Sequence, residues 1–321
     1  MLKTILAVLM LFLTINAVNA ENIEKKKELT YQTGSIDYTI KFGKLLSQRE
    51  LMSFFVLPKQ KVQITVEKNK TRISFAVSEL NKTLSNSATI FNYTAASEIG
   101  YYDLIVRPNK ETQSSVVRVF VMRPATEIKD GVLKGFRIGA YPQKRYKNKE
   151  IYNPPFGFVE LTEKNQNIHV SPHYTLGQFM SKQGGKYPKY LALRTRLLRK
   201  LEYVTDLANA KGIRTDGFQI MSGFRTPYYN AAIKNTLYSR HQWGGAADIF
   251  VDENPKDNYM DDLNADGKIN FEDAKYLAKL INERSSEEDY QLFVGGLGIY
   301  KANSAHGPFI HVDVRGTKAR W

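Results

Sequence analysis

The chain has 321 residues, of which 42% are hydrophobic and 24% charged, and 46 Lys and Arg against 32 Asp and Glu leave a formal net charge of +14. That balance excludes a wholly disordered chain and gives enough apolar mass for about two domains of roughly 150 residues. There is no cysteine, which excludes disulfide scaffolds, thiolate zinc fingers, cysteine nucleophiles and a lipid-modified N-terminal Cys.

Residues 1–20 read as a cleaved Sec signal peptide: Lys3 supplies a positive start, Ile5 to Ile15 an eleven-residue apolar run, and Val18-Asn19-Ala20 the small residues of a cleavage site. The apolar run is too short to span a bilayer, and no later run reaches 18 apolar residues, so no membrane span is expected in the mature chain. Residues 22–28 are a charged leader. From about 29 to 125 the pattern alternates with period two. Lys61 to Val66, Thr71 to Val77, Tyr101 to Val106 and Ser115 to Val121 read as strands, and Glu67 to Lys70 as a hairpin turn. Residues 21–128 are therefore expected to form an all-β sandwich that resembles an immunoglobulin-like module without its disulfide. They carry no chemical motif and read as a spacer or a binding module.

Residues 129–170, rich in Gly, Pro and aromatics, read as a connecting β segment of short strands and turns. A second, α+β domain is expected over 171–321. Leu191 to Ala210 reads as a helix stopped by Gly212, Phe218 to Met221 as a strand, and Pro227 to Asn235 as a short helix. Asp273 to Arg284 reads as a helix with Tyr276, Leu277, Leu280 and Ile281 on one face, and Phe309 to Val314 as a strand.

Five histidines are present. His241 is followed, seven residues on, by Asp248, with Gly244-Gly245-Ala246-Ala247 just before it. Small residues let the backbone fold tightly enough for one His and one Asp to converge. With His311 on the late strand they make a His-Asp-His set, the arrangement of a catalytic zinc with an open position. Zinc would lower the pKa of bound water from about 15.7 toward 7 and polarise a carbonyl. The bland alternative is that each is a packing or surface residue, since no HExxH-type motif is present. His169 and His173 read as structural.

Three motifs in order change the weighing. Ser239-x-His241-x-x-Gly244-x-Ala246-x-Asp248, the later Phe309-x-His311-x-Asp313 and the upstream Ser222-Gly-Phe-Arg-Thr-Pro-Tyr-Tyr-Asn230 resemble the zinc D-Ala-D-Ala metallocarboxypeptidase family. This is a group of peptidoglycan peptidases whose fold is shared with lysostaphin-type enzymes and the hedgehog signalling domain. Ser171-Pro-His-Tyr-Thr-Leu176 resembles the opening of one subfamily and Arg320-Trp321 its end, so the resemblance covers about 171–321. It implies an LAS/hedgehog-like α+β zinc peptidase. His241, Asp248 and His311 would be the zinc ligands, and Arg225 would bind the substrate's terminal carboxylate with its guanidinium fork. Ser239 would assist that carboxylate or orient His241. Many relatives carry an acid three residues before the second zinc His, where this chain has Pro308. The catalytic candidates are therefore Asp313, as proton acceptor or as the partner that fixes His311, and His306, which reads equally as a loop histidine.

Between Asp248 and His311 lie 62 residues, with a predicted insertion over 257–284. Asp262-Leu-Asn-Ala-Asp-Gly-Lys-Ile-Asn-Phe-Glu-Asp273 matches the calcium-loop template. Asp262, Asn264, Asp266, the Lys268 carbonyl and Asp273 would be the ligands. The alternative is an acidic turn capping the next helix. The resulting expectation is an exported, periplasmic or envelope zinc peptidase, with calcium as a second metal, acting on D-Ala-containing stem peptides of peptidoglycan. A D,D-carboxypeptidase is foremost; a cross-link endopeptidase and a non-catalytic zinc-bearing wall-binding module are the alternatives. No nucleic acid partner is expected, and the oligomeric state is not legible.

Overall fold

Alternating strands in the first third of the chain bury one face each and leave the other to solvent, and the two buried faces meet. A computed structural model describes residues 31–80 and 82–321; the predicted signal peptide and leader lie outside the described residues. One five-stranded sheet contains β1 (Ser35–Phe42), β2 (Leu45–Arg49), β4 (Lys61–Lys68), β5 (Thr71–Ile73) and β8 (Phe91–Thr94). A second, in the order given, contains β3 (Leu51–Val56), β10 (Ser115–Val121), β9 (Gly100–Pro108), β6 (Phe75–Glu79) and β7 (Lys82–Ala88). Tyr38, Ile40, Ile64 and Val66 of the first sheet and Phe54, Val77, Leu104 and Val119 of the second form a shared core. The rings of Phe42 and Phe54 stack across it with centroids 4.6 Å apart.

The predicted turn at 67–70 is a two-residue hairpin between Lys68 and Thr71, with Asn69 and Lys70 both at positive φ (50° and 62°). This is the primed geometry that matches strand twist. The stretch predicted as one strand over 71–77 is two. Thr71–Ile73 pairs with β4 in the first sheet and Phe75–Glu79 with β9 in the second, so the chain changes sheets at Ser74. A corner of this kind preserves period two and leaves no mark in the alternation.

Short pairs follow: β11 (Arg123–Pro124), the β12 (Val132–Leu133) and β13 (Phe136–Arg137) hairpin, β14 (Gly157–Leu161), the β15 (His169–Ser171) and β16 (Tyr174–Thr175) hairpin, and β17 (Lys189–Leu191). β11, β14 and β17 make a three-stranded sheet. The helix expected from Leu191 starts later, as α1 (Thr195–Ala210), because Leu191 pairs with Val159 in that sheet and Arg194 N–H donates to the Gly244 carbonyl. Buried apolar residues at Leu191 and Leu193 suit a strand end as well as a helix start. Gly212, at φ +83°, follows the end of α1.

The sheet that carries the candidate site runs β18 (Gln219–Ser222), β19 (Ala246–Phe250), β21 (Phe309–Asp313), β20 (Gly296–Tyr300), β22 (Ala319–Arg320). It is antiparallel except for the last pair. α2 (Pro227–Ala232) follows β18, while α3 (Phe271–Glu283) and α4 (Glu288–Gln291) precede β20. α3 packs on β20, β21 and α1, burying Ala274, Leu277, Ala278, Leu280 and Ile281. The expected apolar face of this helix is thus a core face, with Tyr276 half-buried at its margin. The whole is mixed α+β, mostly strands with few helices, and its sheets are open.

Candidate metal centre

Antiparallel pairing of β19 and β21 sets Asp248 directly opposite His311, so both side chains leave the same face of the sheet. His241 arrives from the tight turn Arg240–Trp243. Gly244 closes that turn at φ +62°, and a Cβ there would sit 2.2 Å from the Ala192 carbonyl oxygen, so only glycine fits. Ala246 and Ala247 are fully buried behind it. The low bulk noted in the sequence is therefore what lets the turn run straight into β19.

The three side chains converge. Asp248 Oδ1 is 3.2 Å from His241 Nε2 and 2.8 Å from His311 Nδ1, and the two nitrogens are 3.2 Å apart. The neighbours fix the tautomers. His241 Nδ1 lies 2.6 Å from the Gly223 carbonyl, which only accepts, so that nitrogen carries the proton. His311 Nε2 lies 3.3 Å from Asp313 Oδ2, which likewise accepts. The nitrogens facing each other are therefore lone pairs, and with Asp248 they make three converging electron donors, all buried. Such a set could hold a metal ion. Among the described residues this is the group of three His, Cys, Asp or Glu residues whose ligand atoms fall within 4.8 Å of one another.

The electrostatics favour that state at His241 and Asp248 and oppose it at His311. Burial pushes the His241 pKa down, favouring the neutral ring. Burial alone would raise Asp248, but the charges and hydrogen bonds of His241 and His311 hold its carboxyl well below the usual range. His311 is raised: burial opposes its charge, and hydrogen bonds to Asp248 and Asp313 more than offset that.

Asp313 faces the far nitrogen of His311 and is fully buried. Its oxygens accept from Gly296 N–H at 2.8 Å, from Arg315 N–H at 2.9 Å and from the Arg315 guanidinium through Nε and Nη2. Burial would raise its pKa, yet His311 and Arg315 take it far below the carboxylate range. Glycine makes room around it: a Cβ on Gly296 would meet Asp313 Oδ2 at 2.4 Å. A Cβ on Gly298, opposite His311, would meet Trp321 Nε1 at 2.4 Å, and the Trp321 ring lies 5.2 Å from that of His311.

Arg225 is part of the cluster: its Nη2 is 2.6 Å from Asp248 Oδ2 and its Nε 2.9 Å from Ser222 Oγ. It also lines a cleft of about 820 Å³ together with Ser222, Met221, Tyr229, Tyr259 and His306. His306 accepts from the Asn303 amide at 2.9 Å and packs edge-on against Phe309. Pro308 lines the same cleft. Ser239 opens the turn that carries His241 without a side-chain capping hydrogen bond, and His241 is oriented by Gly223 instead. Neither Gly223, a backbone partner, nor Arg315 was foreseen from sequence; the spacing of Arg315 two residues after Asp313 is the one available signal.

The calcium-template segment forms a closed loop with Gly267 at φ +79°. Asp262 accepts from the N–H groups of Asp266 and Gly267, and Asp266 from Lys268. Fully buried Asp273 accepts from Leu263 and Asn270, with Asn270 capping α3. The acidic oxygens of this loop thus bond its own backbone, the helix-capping arrangement weighed from sequence. No protein-family model matches the chain, and no curated protein sequence matches it.

Proposed function

We propose that residues 171–321 form an LAS/hedgehog-like zinc peptidase acting on D-Ala-containing stem peptides of peptidoglycan, foremost as a D,D-carboxypeptidase. In this reading residues 21–128 are an immunoglobulin-like module and the chain works outside the cytoplasm. The observation that carries the proposal is the convergence of His241 Nε2, His311 Nδ1 and Asp248 Oδ1 with both tautomers fixed. Zinc held there would supply Lewis acidity to polarise a scissile carbonyl and activate water.

The rest is done by the chain itself. Arg225 binds Asp248 with one edge and lines the cleft, where its charge receives a substrate carboxylate. Asp313 keeps the His311 proton on Nε2 and is itself kept ionised by Arg315, so its role is positioning. Of the two candidates for proton transfer, His306 is the one that lines the cleft. Calcium in the Asp262–Asp273 loop is the second part of the proposal and is supported by the order of oxygens in the sequence. His241→Ala and His311→Ala are each expected to abolish hydrolysis of purified peptidoglycan, and unchanged hydrolysis in both would overturn the reading.

One observation favours a second reading, a wall-binding module that does not cleave. Among the described residues lining the cleft there is no Asp or Glu, and Pro308 stands where many relatives carry an acid. Binding to sacculi with no new products over long incubation is the result that would select it.

A further inference from the structure

The cleft beside the metal centre is lined by Gln219, Ile220, Met221 and Ser222, which are the whole of β18. Side chains alternate along a strand, so a cleft lying over one face would touch every second residue. Contact with all four in succession means the cleft runs along the strand's edge. β18 is the first strand of its sheet and pairs on one side only, with β19. Its other side pairs with no strand, and an unpaired strand edge is a template for an added strand. The register shift between Ile220 and Ser222 leaves Met221 out of step with β19. Just past the strand the backbone is closed by Phe224 N–H to the Phe179 carbonyl, so the open stretch ends at Ser222.

That end is the reactive end. Ser222 lies opposite Asp248 and accepts from Arg225. Apolar Ile220, Met221, Ile233, Phe250 and Met260 line the cleft around the edge, and the charged side chains on it are Lys182 and Arg225, both cationic. The occupant that fits is an extended peptide bearing a carboxylate.

We propose that such a peptide adds to the free edge of β18 as an extra strand and is delivered by it to the His-Asp-His centre at Ser222. Main-chain hydrogen bonds hold the peptide, with every second N–H of it facing β18. Four residues of strand span roughly 10 Å, so about three peptide residues precede the reactive position. What happens at the centre rests on the peptidase reading; the strand addition does not.

The test is calorimetric binding of acetyl-L-Ala-L-Lys-D-Ala-D-Ala to wild-type protein, zinc-loaded and chelator-treated, and of the four analogues N-methylated at one amide each. An N-methyl group removes a donor and blocks pairing. Binding is expected to weaken about three- to tenfold for alternate analogues and little for the others. Replacing the terminal carboxylate by an amide is expected to weaken it about tenfold in wild type and much less in Arg225→Met. Equal affinity across the N-methyl series, or no binding of the parent peptide in either metal state, overturns strand addition. Period-two binding without hydrolysis by the loaded protein keeps strand addition and overturns the peptidase reading instead.

Discussion

His311 is held at both ring nitrogens, and what holds the far one decides what the near one can do. Asp313 accepts the Nε2 proton, Arg315 and Gly296 N–H keep Asp313 ionised and still, and Nδ1 is left as a lone pair aimed at Asp248 and His241. A positioning residue of this kind typically changes metal affinity by about 10–100-fold when altered. Asp313→Asn is therefore expected to weaken zinc retention by that order in a chelator competition, whereas His306→Gln leaves retention unchanged and lowers turnover. Equal retention in Asp313→Asn and wild type would remove Asp313 from the site. At this scale the sequence was informative where chemistry and spacing coincide. Residue type and the small residues before Asp248 bring out His241, Asp248 and His311 as candidates, and the resemblance gives them the ligand role. Gly223 and Ser222 contribute through a backbone carbonyl and a bulged register, neither of which has a residue-type signature.

At the scale of elements, α1 and α3 back the sheet that bears the site, and α1 brings a buried cation with it. Lys200 is fully buried, donates to the Asp313 carbonyl at 2.8 Å and lies 5.1 Å from the Tyr290 ring centroid. Burial pushes its pKa down to about 7, against which the Asp313 charge is too small a counterweight. The unfolded chain keeps that proton up to about pH 10.4. Between pH 7 and 10 the unfolded state thus binds more protons, and the wild type should gain stability as pH rises through that window. Lys200→Met removes the penalty and loses one hydrogen bond. It is expected to be more stable than wild type by about 2 kcal/mol at pH 7 and to lose that margin by pH 10, read from urea midpoints at both pH values. A margin that does not change with pH would contradict the buried-cation account. The loop before α3 carries its own test: calcium is expected to raise the melting temperature of wild type and not of Asp262→Ala. α3 itself was legible because Leu277, Leu280 and Ile281 recur at helical spacing. The start of α1 and the corner at Ser74 were not, since a strand end and a sheet change preserve the local pattern that a helix start or a single strand would show.

At the scale of the molecule, residues 33–321 form one compact unit, and the sandwich is tied to the site-bearing region through polar contacts. Thr195 Oγ1 at the start of α1 donates to the Ser53 carbonyl at 2.8 Å, Arg49 pairs with Asp206 at 2.5 Å, and Arg118 reaches the His169 carbonyl at 2.5 Å. The two packed sheets were visible in the alternation of the sequence; these ties were not, because they run through backbone carbonyls and pairs far apart in the chain. We propose that this unit cleaves peptidoglycan stems with a metal held by His241, Asp248 and His311. Mass spectrometry of muropeptides after incubation with the purified protein, as isolated, after chelation and after zinc is restored, tests it most directly. The expected result is loss of terminal D-Ala that stops on chelation and returns with zinc. Unchanged muropeptides in all three states would contradict it.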